Sequence, residues 1–241
     1  MLGFPDAALA DTNRALGDAR EIGQAATLMF ALVYAGWSHI HCGNYTAASA
    51  ELSEVVTLAD EKGASFWKTL GRTVQGWLFA LTGRAPGAVQ MITSGITSLR
   101  STGVTIWTTA YLACLARAYA ELDQFEEAWR CIREAMATIE ASKEKWCQAE
   151  VNRMAGELAL SGEPDAASAE AYFERALAVA REQQAKSWEL RAAMSMARLW
   201  RDQGKRQEAH KLLATVFSWF TEGFDTLDLK EARALLDELA S

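Results

Sequence analysis

The sequence is poor in residues that break helices or staple loops. Only three of its 241 residues are proline, so long uninterrupted helices are permitted over most of the chain. Cysteine is limited to Cys42, Cys114, Cys131 and Cys147. Their spacing fits neither a zinc motif nor a disulfide framework, and with no signal peptide the thiols are expected to be reduced, in the cytoplasm. No run of 18 apolar residues is present, so no membrane-spanning helix is expected. Apolar residues nowhere alternate with period two for long, so no sheet is expected either. Basic residues are in deficit: 24 Lys and Arg against 31 Asp and Glu leave a formal charge of −7. That balance argues against nucleic acid as the main partner.

A second group of absences concerns chemistry. Gly204-Lys205-Arg206 lacks both the earlier glycine and the following Ser or Thr of a phosphate loop, and reads as a turn with solvated cations. Histidine occurs only as His39, His41 and His210. His39, His41 and Cys42 are the nearest thing to a metal cluster, but His39 falls at a core position and no fourth ligand has motif spacing. No Ser/His/Asp or Cys/His set is suggested, and carboxylates are scattered over polar faces. The chain is therefore expected to be non-enzymatic, with no catalytic residue, no metal and no cofactor.

What is present is a repeated unit. From Trp107 to Ser142 the sequence reads as two helices, roughly Thr105 to Leu122 and Gln124 to Ala141, with apolar residues at spacings of 3, 4 and 7. The turn around Asp123 is so short that the helices fold back antiparallel. From Trp107 the count runs nine residues to Ala116 and seven more to Asp123. The same count runs through Trp67, Gly76 and Gly83, through Trp146, Ala155 and Gly162, and through Trp188, Ala197 and Gly204. Thr27, Gly36 and Gly43 keep the register without the Trp. A spacing kept five times, with a period of about 40 residues, signals a helical solenoid.

The order within the unit is small residue, aromatic, turn residue, small residue: Ala116, Tyr119, Asp123, Ala128 in the third repeat, and Gly36, His39, Gly43, Ala48 in the first. This resembles the tetratricopeptide repeat (TPR), over nearly the whole chain. The family's usual period is about 34 residues. A HEAT or armadillo array matches the longer period better but not the order, and stands as the alternative. The resemblance implies an all-α, right-handed superhelix of about five helix pairs, with an unpaired N-terminal helix and a C-terminal capping helix. The boundaries expected are 1–23 for the unpaired helix, 24–63, 64–103, 104–142, 143–185 and 186–222 for the repeats, and 223–241 for the cap.

At finer grain, Gly63, Gly103 and Lys143 fall at helix exits where positive φ is often needed. Ser65 and Thr105 are placed as N-caps, Pro164 as a first helical residue, and Asp225 or Thr226 as the cap of the last helix. That helix presents Leu229, Ala232, Leu236 and Leu239 on one face. The opening segment aligns with the second helix of a unit, so its apolar flank is expected to lack a partner and the chain reads as the C-terminal piece of a longer protein. The ending, Leu199 to Arg206 and then Trp219 to Leu229, resembles the C-terminal end of large bacterial signalling proteins. These join a class III adenylate or guanylate cyclase, or a transcription-regulatory domain, to a STAND-type ATPase and a repeat array. The resemblance implies a sensor or regulatory arm whose partners include upstream domains of the same polypeptide, and gives this chain none of their activity.

By the family pattern, exposed positions of each first helix face the concave groove. These are Trp37 and Trp77 with Val33 at one end, then Arg117 and Asn152, then Arg191, Met194, Arg198 and Arg201. One end is apolar and aromatic and the other cationic, which suits a protein or peptide partner of acidic character if the arginines lack carboxylates of their own. The plainer alternative is an ordinary solvated stripe. The ladder Trp67, Trp107, Trp146 and Trp188 lies about 180° from the small residues, at 100° per residue. It is either a row of binding aromatics or a stacking element, and its identity in four repeats favours stacking. Two functions are expected from this pattern: an interaction module holding a protein in the groove, or a small-molecule sensor with its ligand there.

Overall fold

The computed structural model describes residues 1–240. Among them are twelve helices and no strand: α1 (Pro5–Ile22), α2 (Ala25–His41), α3 (Tyr45–Glu61), α4 (Ser65–Leu81), α5 (Ala85–Ser101), α6 (Thr108–Ala120), α7 (Phe125–Ser142), α8 (Gln148–Ala159), α9 (Ala166–Glu182), α10 (Lys186–Asp202), α11 (Arg206–Phe217) and α12 (Leu227–Ala240). Each helix packs on the next, and α2, α4, α6, α8, α10 and α12 also pack on one another in succession. These six form an inner layer, with the remaining helices outside. The crossings are close because small residues stand at them. A Cβ on Gly36 would lie 2.8 Å from the Leu52 side chain, and one on Gly76 2.9 Å from both Ile92 and Met91. Ala116, Ala128 and Ala135 are buried at the third crossing.

Gly63, Gly103 and Lys143 have φ of 64°, 80° and 60°, as their helix-exit positions demand. The starts differ from expectation. Ser65 is the first residue of α4 rather than its cap, and α6 begins at Thr108 without a side-chain cap, because Trp107 ahead of it takes φ 67°. Pro164 lies outside α9, whose cap is Asp165; its Oδ1 accepts from the Ser168 amide at 3.0 Å. A carboxylate that satisfies a free amide of the first turn fixes the start more firmly than the proline's preset φ does. In α12 Leu229, Ala232 and Leu239 are buried as expected, but the fourth buried residue is Leu235, with Leu236 half-buried beside it.

The opening helix has no preceding partner and buries only Leu16 and Ala19, against α2. Its start is nevertheless fixed, by the other end of the chain. Glu222 Oε1 accepts from the amides of Asp6 and Ala7 at 3.0 and 3.1 Å, and Asp6 Oδ2 accepts from the Gly223 amide at 2.9 Å. Phe4 meets Trp219 edge-on at 5.4 Å, and the Ser187 amide donates to the Met1 carbonyl at 3.0 Å. Gly3, at φ 100°, admits this approach: a Cβ there would sit 2.5 Å from the Trp219 ring. The cap that α1 lacks locally is thus supplied from 216 residues away. The superhelix closes on itself.

Candidate functional site

Closure turns the concave groove into an interior. Trp37, on α2, stands at its centre. Its ring lies 5.2 Å from Trp77 (α4), 5.8 Å from Trp107 (start of α6), 5.9 Å from Trp146 (before α8) and 6.3 Å from Tyr111. His41, one turn on, lies 5.2 Å from Trp77 and 5.4 Å from Trp188. Most of these contacts are edge-to-face, the geometry that ring quadrupoles favour. The ladder tryptophans Trp107, Trp146 and Trp188 therefore converge on one centre, while Trp67 stays outside it with Phe30 and Phe66.

Two cavities flank this cluster. The larger, about 730 Å³, is walled by Tyr34, Trp37, Trp107 and Trp146 and roofed by Met1, Phe4 and Pro5 from the start of the chain. The smaller, about 250 Å³, lies between Trp77, Arg117, Glu150, Arg153 and Met194. Trp146, Trp188, Arg191 and Asp228 line both and form the partition between them.

The partition is ionic. Arg191 Nε donates to Asp228 Oδ2 at 2.7 Å, and its Nη1 reaches Glu150 Oε1 at 3.5 Å. Arg153 holds Glu150 through two bonds of 2.7 and 2.8 Å and Glu157 at 3.1 Å. Burial alone would push the Glu150 carboxyl up. The charge and hydrogen bonds of Arg153, with Arg191 and His41 adding, outweigh it and hold the pKa at about 2. Burial drives the His41 pKa down to about 3, helped by Arg191 and the amino terminus, so the imidazole is neutral; its Nε2 has no partner. Burial also raises the Cys42 and Cys147 thiols to about 11 and about 12, which keeps them protonated and unreactive.

Of the groove residues expected from sequence, Trp37, Trp77, Arg117, Arg191, Met194 and Arg198 line one cavity or both. Val33 is buried in the core. Asn152 lines neither cavity; it is buried, with Nδ2 donating to the Gln148 carbonyl at 2.8 Å, and Arg153 beside it takes the inward position. Arg201 also lines neither. The expectation that the arginines lack carboxylate partners is corrected. Arg191 pairs with Asp228, Arg198 with Glu231 at 3.0 Å, and Arg201 with Asp202 at 2.9 Å and Glu238 at 3.1 Å. Asp228, Glu231 and Glu238 all come from α12, laid along the same face of α10 at the i, i+3 and i+10 positions; the capping helix neutralises the stripe. Arg117 is paired too, with Glu121 at 3.2 Å.

His39 and His41 part company: His39 Nε2 lies 3.2 Å from Glu51 on α3, while His41 and Cys42 face the larger cavity. Among the described residues no group of three or more His, Cys, Asp or Glu is placed to hold a metal. Sequence reasoning missed His41, Glu144, Arg153 and Asp228 as interior residues. The signal for the tryptophans was their phase, opposite the small residues; for the charged groups there was none within a repeat, since their partners come from other repeats.

No protein-family model matches the chain, and no curated protein matches it by sequence. Solved structures do. BtubC (BKLC) from P. vanneervenii is similar at TM-score 0.60 and 17% identity, over 97% of this chain and 92% of that one. Two solved forms of a putative kinesin light chain of nearly identical TPR-like repeats from Podosopora anserina are similar at TM-scores of 0.53 and 0.51. Each is 18% identical, over 79% of this chain and 93% of that one. At such identities the likeness is one of fold: the chain is an all-α, TPR-like solenoid. No helix among the described residues is long and apolar enough to cross a membrane.

Proposed function

Taking a TPR-like solenoid as the premise, we propose that this chain is a non-enzymatic module that binds a protein or peptide partner through its concave face. The observation that carries this reading is the mouth of the larger cavity. There Phe4, Tyr34 and Ile106 remain 49%, 36% and 48% exposed around an aromatic interior. Exposed apolar residues grouped at a concave site mark binding surfaces more often than isolated ones do. Trp37, Trp77, Arg117, Arg191, Met194 and Arg198 are the walls behind it. The fold supplies the class of activity by analogy; the cavity supplies the place.

The resemblance of Leu199 to Arg206 and Trp219 to Leu229 to the ends of cyclase-linked and regulator-linked ATPases supports a narrower reading. In it the module is the sensor arm of a larger bacterial signalling protein in the cytoplasm, and answers to upstream domains. A peptide-library selection tests the binding claim. The wild-type chain should enrich a common motif, and the double variant Tyr34→Ala, Ile106→Ser should lose at least tenfold in affinity with an unchanged melting curve. Selection of no motif, or full retention by the variant, overturns it.

A second reading, a small-molecule sensor, draws on a different observation. The larger cavity is roofed by the first residues of the chain and floored by Asp228 of the last helix. A ligand inside it contacts both ends and is linked to ring closure by mass action.

A further inference from the structure

Trp107 holds a backbone conformation that bulky residues avoid. Its φ is 67°, the left-handed region, directly before α6. Such a conformation is disfavoured for a bulky side chain and persists only where surroundings fix it. Here the fixing group is Glu144. Its Oε1 accepts the Trp107 amide at 3.2 Å and the Trp146 indole Nε1–H at 2.6 Å. One carboxylate oxygen thus sets two rings of the larger cavity's wall. Tyr34 and Trp37 complete the wall, with Tyr34 6.2 Å from Trp107 and Trp37 between Trp107 and Trp146. At the equivalent place one repeat earlier, Trp67 lies inside a regular helix and turns to Phe30 and Phe66 instead. Of the ladder tryptophans, Trp107 alone carries a positive φ.

The charge of this end of the cavity is uncompensated. Three charged side chains line the cavity: Glu144, Asp228 and Arg191. Arg191 is committed to Asp228 and Glu150. The amino group of Met1 lies with Arg191 and Asp228, which act on it together with Cys42, and not with Glu144. Among the described residues no Lys or Arg forms an ion pair with Glu144, at the Trp107–Trp146 end. Aromatic faces are the negative poles of their quadrupoles. An anion placed here would meet a carboxylate and four aromatic rings, and a neutral apolar body would strip water from Glu144 without replacing it. A cation with an apolar surface satisfies both.

We propose that the Tyr34–Trp37–Trp107–Trp146 wall, with Glu144 at its edge, is a binding site for the ammonium head group of an organic cation, of the quaternary or methylated class. This deepens the reading of the concave face as the binding surface. The head group rests on the indole faces, and its positive charge lies near the free side of Glu144. The remaining cavity, about 730 Å³ in all, takes the apolar body, and Phe4 and Ile106 flank the way in.

The test is a titration of the purified chain, read by tryptophan fluorescence and calorimetry, with three probes. These are acetylcholine, its neutral isostere 3,3-dimethylbutyl acetate, and a short peptide carrying trimethyllysine. Expected is saturable binding of at least one ammonium probe, at least tenfold tighter than the isostere. Glu144→Gln should reduce this binding at least tenfold, and so should Trp107→Leu, in variants whose melting shows them folded. Should either variant fail to fold, Tyr34→Ala, at an exposed position, takes its place. Acetylcholine binding points to a free metabolite; binding of the peptide alone points to a modified protein side chain; both uphold the site. Equal binding of the isostere, indifference to all three substitutions, or no binding of either ammonium probe overturns it. Because the titration asks only for the ammonium group and the selection library carries none of the quaternary or methylated class, failure of the titration leaves the peptide-selection result standing, and the two claims fall separately.

Discussion

Gly76 shows most simply what single residues do here. It sits where α4 and α5 cross, with Ile92 and Met91 already at 2.9 Å from the place of a Cβ. Gly76→Leu forces the helices apart and should cost about 1–3 kcal/mol, the usual range for overpacking. Gly87 lies in the first turn of α5 against Phe79 and is no neutral control. Gly17 is: nothing lies within 4 Å of its Cβ position on the exposed face of α1. Gly17→Ala should stabilise by about 0.5–1 kcal/mol, since glycine costs that much in a helix interior. Urea unfolding of both variants checks the pair, and equal effects would show that the crossing is not tight.

His41 makes a prediction about pH. Its folded pKa, about 3, is below the ordinary 6.5 of the free side chain, so the unfolded chain binds the proton more readily. Stability therefore falls as pH drops below 6.5, by about 1.4 kcal/mol per unit until the folded pKa is reached. Between pH 7.5 and 5 the loss from this residue is about 2 kcal/mol. His41→Gln should flatten that part of the wild-type profile, measured by denaturant midpoints. An unchanged slope would mean that His41 is protonated or solvated in the folded state.

Among the elements, α12 does more than cover the last repeat. Its apolar face, Leu229, Ala232, Leu235 and Leu239, seals the core, and its acidic face meets the arginines of α10. Arg198 and Arg201 pair near the surface, where such bonds are worth little. Arg191 is different, with only 17% of its side chain exposed. Asp228→Ala leaves that guanidinium buried with Glu150 alone. The expected loss is about 3 kcal/mol, the low end for breaking a buried pair because one partner remains. The double variant Arg191→Leu, Asp228→Leu should recover most of it. If Asp228→Ala melts with the wild type, the pair is solvated.

The helix pairs themselves are legible in the sequence, because each is set by contacts within one unit: Trp, small residue, turn, small residue. The phase of Trp107, Trp146 and Trp188 opposite Ala116, Ala155 and Ala197 also places them on the concave side. Their identity across repeats favours stacking, and the rings of three repeats do meet one another at Trp37 and His41, where they also line the larger cavity. What escapes the sequence depends on curvature. Glu222 caps α1 across 216 residues, Asp228 finds Arg191 across 37, and Glu144 finds Trp107 across 37. The caps expected at Ser65 and Thr105 are absent: α4 and α6, like most helices here, begin without any side-chain bond to their first amides.

At the scale of the molecule, the proposed function rests on closure. An open solenoid exposes a groove; this one joins its ends and encloses a chamber whose walls come from α2, α4, α6, α8, α10 and α12 together. The ends of a repeat array have one neighbour each and are expected to exchange amide hydrogens faster than its middle. Closure reverses this at particular atoms. The amides of Asp6, Ala7 and Gly223 are bonded across the seam, whereas those further along α1, near its exit at Gly23, gain nothing from it.

Native-state hydrogen exchange at residue resolution, on the wild type and on Glu222→Ala, tests closure most directly. In the wild type the Asp6 and Ala7 amides should be protected well above the chemical exchange rate and above Ile22. In Glu222→Ala that protection and that of Gly223 should be lost together, with α4 to α8 unchanged. Unprotected Asp6 and Ala7 amides in the wild type, or a Glu222→Ala variant that leaves all three as they were, would contradict a closed ring.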